Sequence, residues 1–564
     1  MNPETKNCKN CQKDFIIEQV DFEFYEKVDV PPPTWCPPCR LMRRLAWRNE
    51  RALYRHKCDL CGTEVHASYA PENPQPMYCQ KCWWSDDWDP TSFGRDYDFT
   101  RPFFDQFRDL MKVAPVRSVF GIYTTLINSE YTNLVSYLKN CYLIFNSDYN
   151  EECMYGTEIE HSKGCVDNTM IDGCEFCSGC VNCKKCYRTF YSTNCESCVD
   201  TWFSKNCSGC TNIFACANLK NRQYCIFNEQ YSKEEYEKKI AEFKTGSHRS
   251  FIENEEAIKK WALQFPERCM QGRQNSNASG EYIYNSRDTR DTYIATEAWN
   301  CRYCMWLLVP PIKDCYDLTE YGDNAELCYD TITSGAGSSL IRFSATAGFN
   351  SRNVSYSFTI ASSSNLFGCM SMRKKEYCIL NKQYTKEEYE ELLPKIIEHM
   401  KSTGEYGEFF PMNLSPFPYN DTNAHEYFPK TKEEVLGKGL NWREPDVRSY
   451  KVSMTKDTLP DSITETPDSI VNEIISCEHE GKCQHQCTTA FKVIPKELEF
   501  YRTHNLPIPR QCPNCRAYKR AERRRSLSIY DRTCAKCQAA IKTSYSPDRP
   551  EIVYCESCYQ AEFV

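Results

Sequence analysis

The sequence predicts a mainly β protein with short helices. In it, two metal-binding didomains at the termini flank two short-coil β-solenoid modules. Three observations predict this class. The 564-residue chain carries 38 Cys against 9 His. Its two ends repeat one pattern of Cys spacing, and its middle repeats at a short fixed period. The expected order is a didomain over 1–90, a connector over 91–127 and a first solenoid with a C-terminal capping helix over 128–245. A helical connector follows over 246–283, then a second, degenerate solenoid with its capping helix over 284–402. A connector over 403–476 leads to the second didomain over 477–564.

Composition bounds the function. The chain is 41% hydrophobic and 26% charged, which is globular rather than disordered. Mean hydropathy is −0.65, and no long apolar run suggests a membrane span. The start MNPETKNCKN has no apolar signal-peptide core, so a cytoplasmic protein with reduced thiols is expected. Net charge of −8 argues against a wholly basic nucleic-acid coat.

At the N-terminus the Cys are Cys8, Cys11, Cys36, Cys39, Cys58, Cys61, Cys79 and Cys82. At the C-terminus they are Cys483, Cys487, Cys512, Cys515, Cys534, Cys537, Cys555 and Cys558. A shift of 476 superposes seven of the eight, and also carries Phe15 onto Phe491, Arg40 onto Arg516, Arg44 onto Arg520 and Tyr54 onto Tyr530. Each copy holds four Cys pairs, enough for two tetrahedral Zn²⁺ sites, because zinc takes four soft thiolates from two CxxC knuckles. About four structural zincs are therefore expected, with redox CxxC pairs or unmetallated thiols as the alternative. One site is imperfect: Cys8 maps to Gln484, a poor zinc ligand. Cys483 or His485 beside it could serve as the fourth ligand with Cys487, and Cys477 and His479 are further candidates. Four-thiolate sites leave no open position for substrate, so catalytic zinc is not expected.

The stretch from Cys8 to Arg40, with its CxxC, Phe24-Tyr25, Pro31 and Pro33 and the closing CPPCR, resembles the probable zinc-ribbon, treble-clef-like domain family. Cys487 to Arg516 repeats it without the first Cys. The resemblance implies zinc binding and no particular activity. The stretches YCIFNEQYSKEEY (224–236), YCILNKQYTKEEY (377–389) and RPEIVYCESCY (549–559) are similar to a group of large zinc-ribbon proteins of uncultivated, reduced-genome bacteria. That likeness implies no function.

Between the paired knuckles lie RLMRRLAWRNERALYRHK (40–57) and RAYKRAERRRSLSIYDRT (516–533), each with seven Lys/Arg and no Pro or Gly. Both read as basic helices. Arg binds phosphate bidentately and stacks on bases. Arg40, Arg43, Arg44, Arg48, Arg516, Lys519, Arg520, Arg523, Arg524 and Arg525 are thus candidate contacts for RNA or a ribonucleoprotein. The alternative is a solvated charged face or a site for an acidic protein. Residues 1–82 carry +1 and residues 477–564 carry +5, so the body between them carries −14.

From Cys141 to Cys225 there are 14 Cys, every spacing a multiple of three. Cys174, Cys186, Cys198 and Cys210 form one column 12 apart, and Asn182, Asn194, Asn206 and Asn218 another. Short fixed periods with small residues in register indicate stacked β-coils. The Cys then read as small core residues, and the Asn column as satisfying backbone groups at a corner. An iron–sulfur cluster at Cys174–Cys186 and disulfide ladders are the alternatives. The module recurs at an offset of 153, aligning Cys216–Tyr236 with Cys369–Tyr389. In the second copy Ser, Thr and Ala replace most Cys, which favours packing over ligation. Ser232 with Glu235, Thr385 with Glu388 and Thr431 with Glu434 are capping boxes that start helices. The first two would cover the open solenoid ends.

No Walker loop, GxSxG, HExxH or GxGxxG stands in the sequence, and no catalytic residue is assigned. His161, Cys165, Glu158, Glu160 and Asp172 make only a weak constellation. The favoured expectation is a non-enzymatic structural-zinc protein whose terminal modules bind RNA, with the solenoids as a rigid platform. A protein–protein scaffold or self-assembling protein is the alternative. A redox or carbohydrate-active enzyme on the solenoid face is the third.

Overall fold

The computed structural model describes residues 2–444 and 450–563. The chain is mainly β with short helices and divides into two units. The first joins Met1–Val119 to Met270–Arg443, and the second joins Phe120–Cys269 to Glu444–Val564. Each therefore contains one terminal Cys module and one repetitive middle segment.

In the second unit the repetitive segment is a parallel ladder. Thr157 pairs with Thr169, which pairs with Val181, and Val199 pairs with Thr211, which pairs with Gln223. Each partner lies one full repeat further along the chain. The backbone reaches this period by turning at every third residue. Asn182, Lys185, Arg188, Tyr191 and Asn194 have φ between 49° and 56°, a region non-glycine residues otherwise avoid. Asn tolerates it best, which explains the Asn column. Its side chains also bond to one another: Asn182 Nδ2 donates to Asn194 Oδ1 (2.8 Å) and Asn194 Nδ2 to Asn206 Oδ1 (3.0 Å), while Asn218 Nδ2 donates to the Pro266 carbonyl (2.9 Å).

In the first unit the ladder keeps the same step at its ends, as in Gly280–Thr292 and Leu366–Cys378. Its middle steps are longer. Cys301 pairs with Cys315, Tyr316 with Tyr329 and Ile341 with Val354, so lengthened coils blur the period in the sequence.

The interior of each ladder is built from small side chains, apolar ones with buried Ser, Thr and Asn among them. The buried cluster of the second unit holds Cys174, Cys177, Cys180, Cys183, Cys186 and Cys195 with Ile159, Ile171 and Ile213. Paired interior positions exchange Cys for aliphatics: Ile171 faces Cys183, Ile213 faces Cys225 and Leu366 faces Cys378. The thiols make weak hydrogen bonds to carbonyls of their own coil and of the next. Cys180 Sγ, for example, lies 3.2 Å from the Thr189 oxygen. Burial pushes Cys177 up to about 11 and Cys207 up to about 12, so these thiols stay protonated.

The capping boxes form as the sequence indicates, at Lys233–Ile240, Lys386–Ser402 and Lys432–Gly437. Tyr236 packs on Tyr224, and its counterpart Tyr389 packs on Tyr377, both at 5.7 Å. In the first unit the connector helix Phe103–Met111 buries Phe103 and Phe107 against Tyr356, Phe367 and Phe410.

Candidate metal centres and arginine clasps

Each terminal module is built from the same part used twice. A hairpin, Glu4–Asn7 with Asp14–Ile17, carries Cys8 and Cys11 in its turn. Cys36 then caps the helix Pro37–Leu45, which brings Cys39. The second hairpin, Tyr54–Lys57 with Glu64–Ala67, carries Cys58 and Cys61, and Cys79 caps the helix Gln80–Trp84 bearing Cys82. A helix N-terminus favours thiolate through its free N–H groups and dipole. The first Cys of each knuckle also accepts a backbone N–H from the helix-capping Cys. Cys36 N donates to Cys8 Sγ and Cys79 N to Cys58 Sγ, both at 3.2 Å.

The C-terminal module repeats the plan, with Cys512 capping Pro513–Ala521 and Cys534/Cys537 set between strands Tyr530–Thr533 and Ala540–Thr543. Cys555 N donates to Cys534 Sγ at 3.2 Å. Burial disfavours the Cys534 thiolate, but the N–H groups of Cys537 and Cys555 outweigh it and bring the thiol down to about 6.

Four groups of four Cys result: Cys8/Cys11/Cys36/Cys39, Cys58/Cys61/Cys79/Cys82, Cys477/Cys487/Cys512/Cys515 and Cys534/Cys537/Cys555/Cys558. Two thiolates on one tetrahedral zinc are separated by about 3.8 Å, given a Zn–S bond of about 2.3 Å. Cys11–Cys36 (3.7 Å), Cys61–Cys79 (3.9 Å), Cys512–Cys487 (4.0 Å) and Cys537–Cys555 (3.7 Å) match that separation. The donor chemistry and spacing fit structural metal. Among the described residues every such group lies in a terminal module, and none uses a ladder Cys.

In the third group one of the four candidates offered by the sequence completes the set. Its fourth member is Cys477, not Cys483. Cys477 follows the strand Ile475–Ser476 as Cys8 follows Glu4–Asn7, and Cys512 N donates to its Sγ at 3.3 Å. Longer spacing inside this knuckle, Cys477 to Cys487 against Cys8 to Cys11, hides the equivalence from a fixed shift. Cys483 instead groups with His479, His485 and Cys515.

The basic stretches are also corrected. They are not continuous helices. Helix ends at Leu45 and at Ala521, because Tyr54–Lys57 and Tyr530–Thr533 must extend to form the next hairpins. Nor do most of their arginines face solvent, although Arg55 is exposed. Arg40 and Arg44 are sealed in the core of the first unit, at 1% and 0% exposure. Asp317 accepts from both, from Arg40 Nε and from Arg44 Nη1, each at 3.0 Å. Arg44 Nη1 also reaches Asp330 (2.8 Å), which Arg43 meets at 2.7 Å. Arg48 pairs with Glu320 and Glu50.

The second unit repeats the clasp with the equivalent residues. Arg516 Nη1 lies 2.9 Å and Arg520 Nη1 2.8 Å from Asp167. Arg44 donates to Thr319 Oγ1 and the Tyr303 carbonyl, and Arg520 donates to Thr169 Oγ1 and the Tyr155 carbonyl. Arg40 lies over the Tyr303 ring and Arg516 over the Tyr155 ring. Each tyrosine hydroxyl donates to one module carboxylate, Tyr303 to Asp21 and Tyr155 to Glu497, which are again 476 apart. Burial works against the charge on Arg40 and Arg516, but Asp317 and Asp167 outweigh it and hold both guanidinium groups well above their ordinary range. Arg523 is committed to the ladder carbonyls of Gly179 and Tyr191, Arg524 to Glu158 and Arg525 to Glu267. Lys519 stays partly exposed at 3.4 Å from Glu255.

Sequence reasoning missed Asp317, Asp330 and Glu320, and saw Glu158 only as an outer-face carboxylate. No local signal marks an acid in a ladder as the partner of an arginine in a distant terminal module. A comparison with family models finds no match, and a comparison with curated proteins finds none. Among the described residues no helix is long and apolar enough to cross a membrane.

Proposed function

We propose that the protein is a non-enzymatic, structural-metal scaffold of the cytoplasm. Two β-solenoids are each clasped by a zinc didomain of zinc-ribbon, treble-clef kind, and present rigid faces to another protein or to a second copy. The fate of the basic helices carries this reading. Both didomains commit their matching arginines to ladder carboxylates inside their own unit, so each module works as a clamp on its ladder. Hairpin knuckles facing helix N-termini support the treble-clef assignment, and four-thiolate donor sets suit Zn²⁺. Regular parallel steps around an interior of Cys and aliphatics support the solenoid assignment. One ladder face of the second unit exposes a column of rings: Tyr137 stacks on Tyr149 at 4.5 Å, and Tyr149 on His161 at 5.0 Å. Exposed aromatics of this kind suit protein contact.

Light scattering on a nuclease-treated preparation tests the reading. A concentration-dependent oligomer, or a stoichiometric protein complex lost in Tyr137→Ser/Tyr149→Ser, is expected. A strict monomer that captures no protein counts against it.

Contact with RNA or a ribonucleoprotein is the second reading, and one observation favours it. A cavity of about 570 Å³ in the second unit is lined by Arg510, Arg516, Lys519, Arg520, Arg523 and Lys259, together with Asp167, Glu255, Glu478 and Glu522. Nη1 of Arg510 and Nη2 of Arg516 are buried without a hydrogen-bond partner among the described residues. Such donors suit a phosphate. Nucleic acid that co-purifies and is released by salt would support this reading.

A further inference from the structure

We infer that the C-terminal module holds a dinuclear metal centre, in which Cys515 bridges two ions. This rests on the metal-module reading above and adds a fifth ion to it. The first ion takes Cys477, Cys487, Cys512 and Cys515; the second takes His479, Cys483, His485 and Cys515. The ligand atoms of each set lie within 4.8 Å of one another.

The geometry at Cys515 is that of a shared sulfur. Its Sγ lies 3.8 Å from Cys477 Sγ on one side and 3.7 Å from Cys483 Sγ on the other. Both values match two thiolates on one tetrahedral ion, separated by about 3.8 Å. The loop between Cys477 and Cys487 explains why only this knuckle gains a second site. Along it His479, Cys483 and His485 are half-buried, while Glu480, Gly481, Lys482 and Gln484 are exposed. The other three knuckles have only two residues between their Cys and no room for further ligands.

Two features belong to a ligand site rather than to a surface loop. Nδ1 of His479 is buried with no hydrogen-bond partner among the described residues, a costly arrangement unless something accepts its lone pair or its proton. His485 is held in place from outside. Its ring stacks on Tyr518 at 5.1 Å, and its Nε2 lies 3.8 Å from a Glu522 carboxylate oxygen. A carboxylate behind a ligating imidazole orients the ring and raises its basicity. Charge also favours the pair of ions. Five thiolates and two neutral imidazoles around two divalent cations leave one net negative charge, less than the two left by an isolated four-thiolate site.

The test is metal counting on the full chain by native mass spectrometry, with cadmium NMR on the cadmium-exchanged protein. Five ions are expected, two of them coupled through a shared sulfur. His479→Ala/His485→Ala should fall from five ions to four and lose the coupling, with the far-ultraviolet circular dichroism unchanged. Cys483→Ser should do the same. Four ions in the unmutated protein, or a count unmoved by the histidine substitutions, overturns the dinuclear centre and leaves the metal modules standing. A protein that binds no metal overturns both.

Discussion

Arg44 and Asp317 meet at 3.0 Å with neither side chain reaching solvent, and Arg520 and Asp167 repeat the contact at 2.8 Å in the other unit. A buried ion pair is weak evidence for stability in itself, but removing one partner leaves an uncompensated buried charge and costs about 3–5 kcal/mol. Asp317→Asn and Asp167→Asn should therefore each lower the urea midpoint sharply. Lys519→Ala, at a partly exposed pair, should lower the stability by less than about 1 kcal/mol. Equal effects from all three would remove the clasp as a stabilising element.

Metal removal should unfasten the modules. Metal binding by thiolates supplies folding free energy to small modules of this kind. Excess chelator is expected to release the ions, expose the clasp arginines and speed proteolysis within 1–82 and 477–564. The ladders, whose Cys enter none of the candidate metal groups among the described residues, should keep their β circular dichroism. Limited proteolysis followed by mass mapping reads the difference.

The ladder Cys should behave as small hydrophobes. Cys183 faces Ile171, and Cys378 faces Leu366, so each position tolerates an aliphatic neighbour. Cys183→Ala or Cys378→Ala should cost about 1 kcal/mol, as for the loss of one methylene-sized group, with no change in metal count. A lost ion or visible iron absorbance in the unmutated protein would contradict this.

His504 makes stability depend on pH. Burial among Phe176, Phe190 and Phe500, with Arg188 nearby, pushes it down to about 4. An unfolded histidine titrates near about 6.5. The folded value is depressed, so the unfolded chain binds the extra proton. The contribution is complete above about pH 6.5 and is lost as pH falls toward about 4. Between pH 7 and 5 the urea midpoint of the unmutated protein should drop more steeply than that of His504→Gln. Parallel profiles would show that His504 does not carry the effect.

Much of the structure was legible locally. CxxC pairs declare their knuckles because two thiolates on one turn need that spacing. Ser232–Glu235 and Thr385–Glu388 declare their helices because a capping box is closed within a single turn. The ladder period was readable where the step between paired strands is constant. It faded at Cys301–Cys315 and Tyr316–Tyr329, where the coils lengthen.

The sequence by itself determined the knuckles, the caps, the period and the internal duplication, all of which rest on contacts between near neighbours or on strict repetition. The tertiary structure alone decided where the arginines point and which Cys completes the third metal group. Arg40 finds Asp317 only after the chain has folded back on itself, and Cys477 supplants Cys483 only once its strand pairs with Ala490–Phe491. The physical reason is the same in both cases. A guanidinium group on a helix has the same sequence whether it meets water, phosphate or a buried carboxylate, and the surface that packs against it decides which.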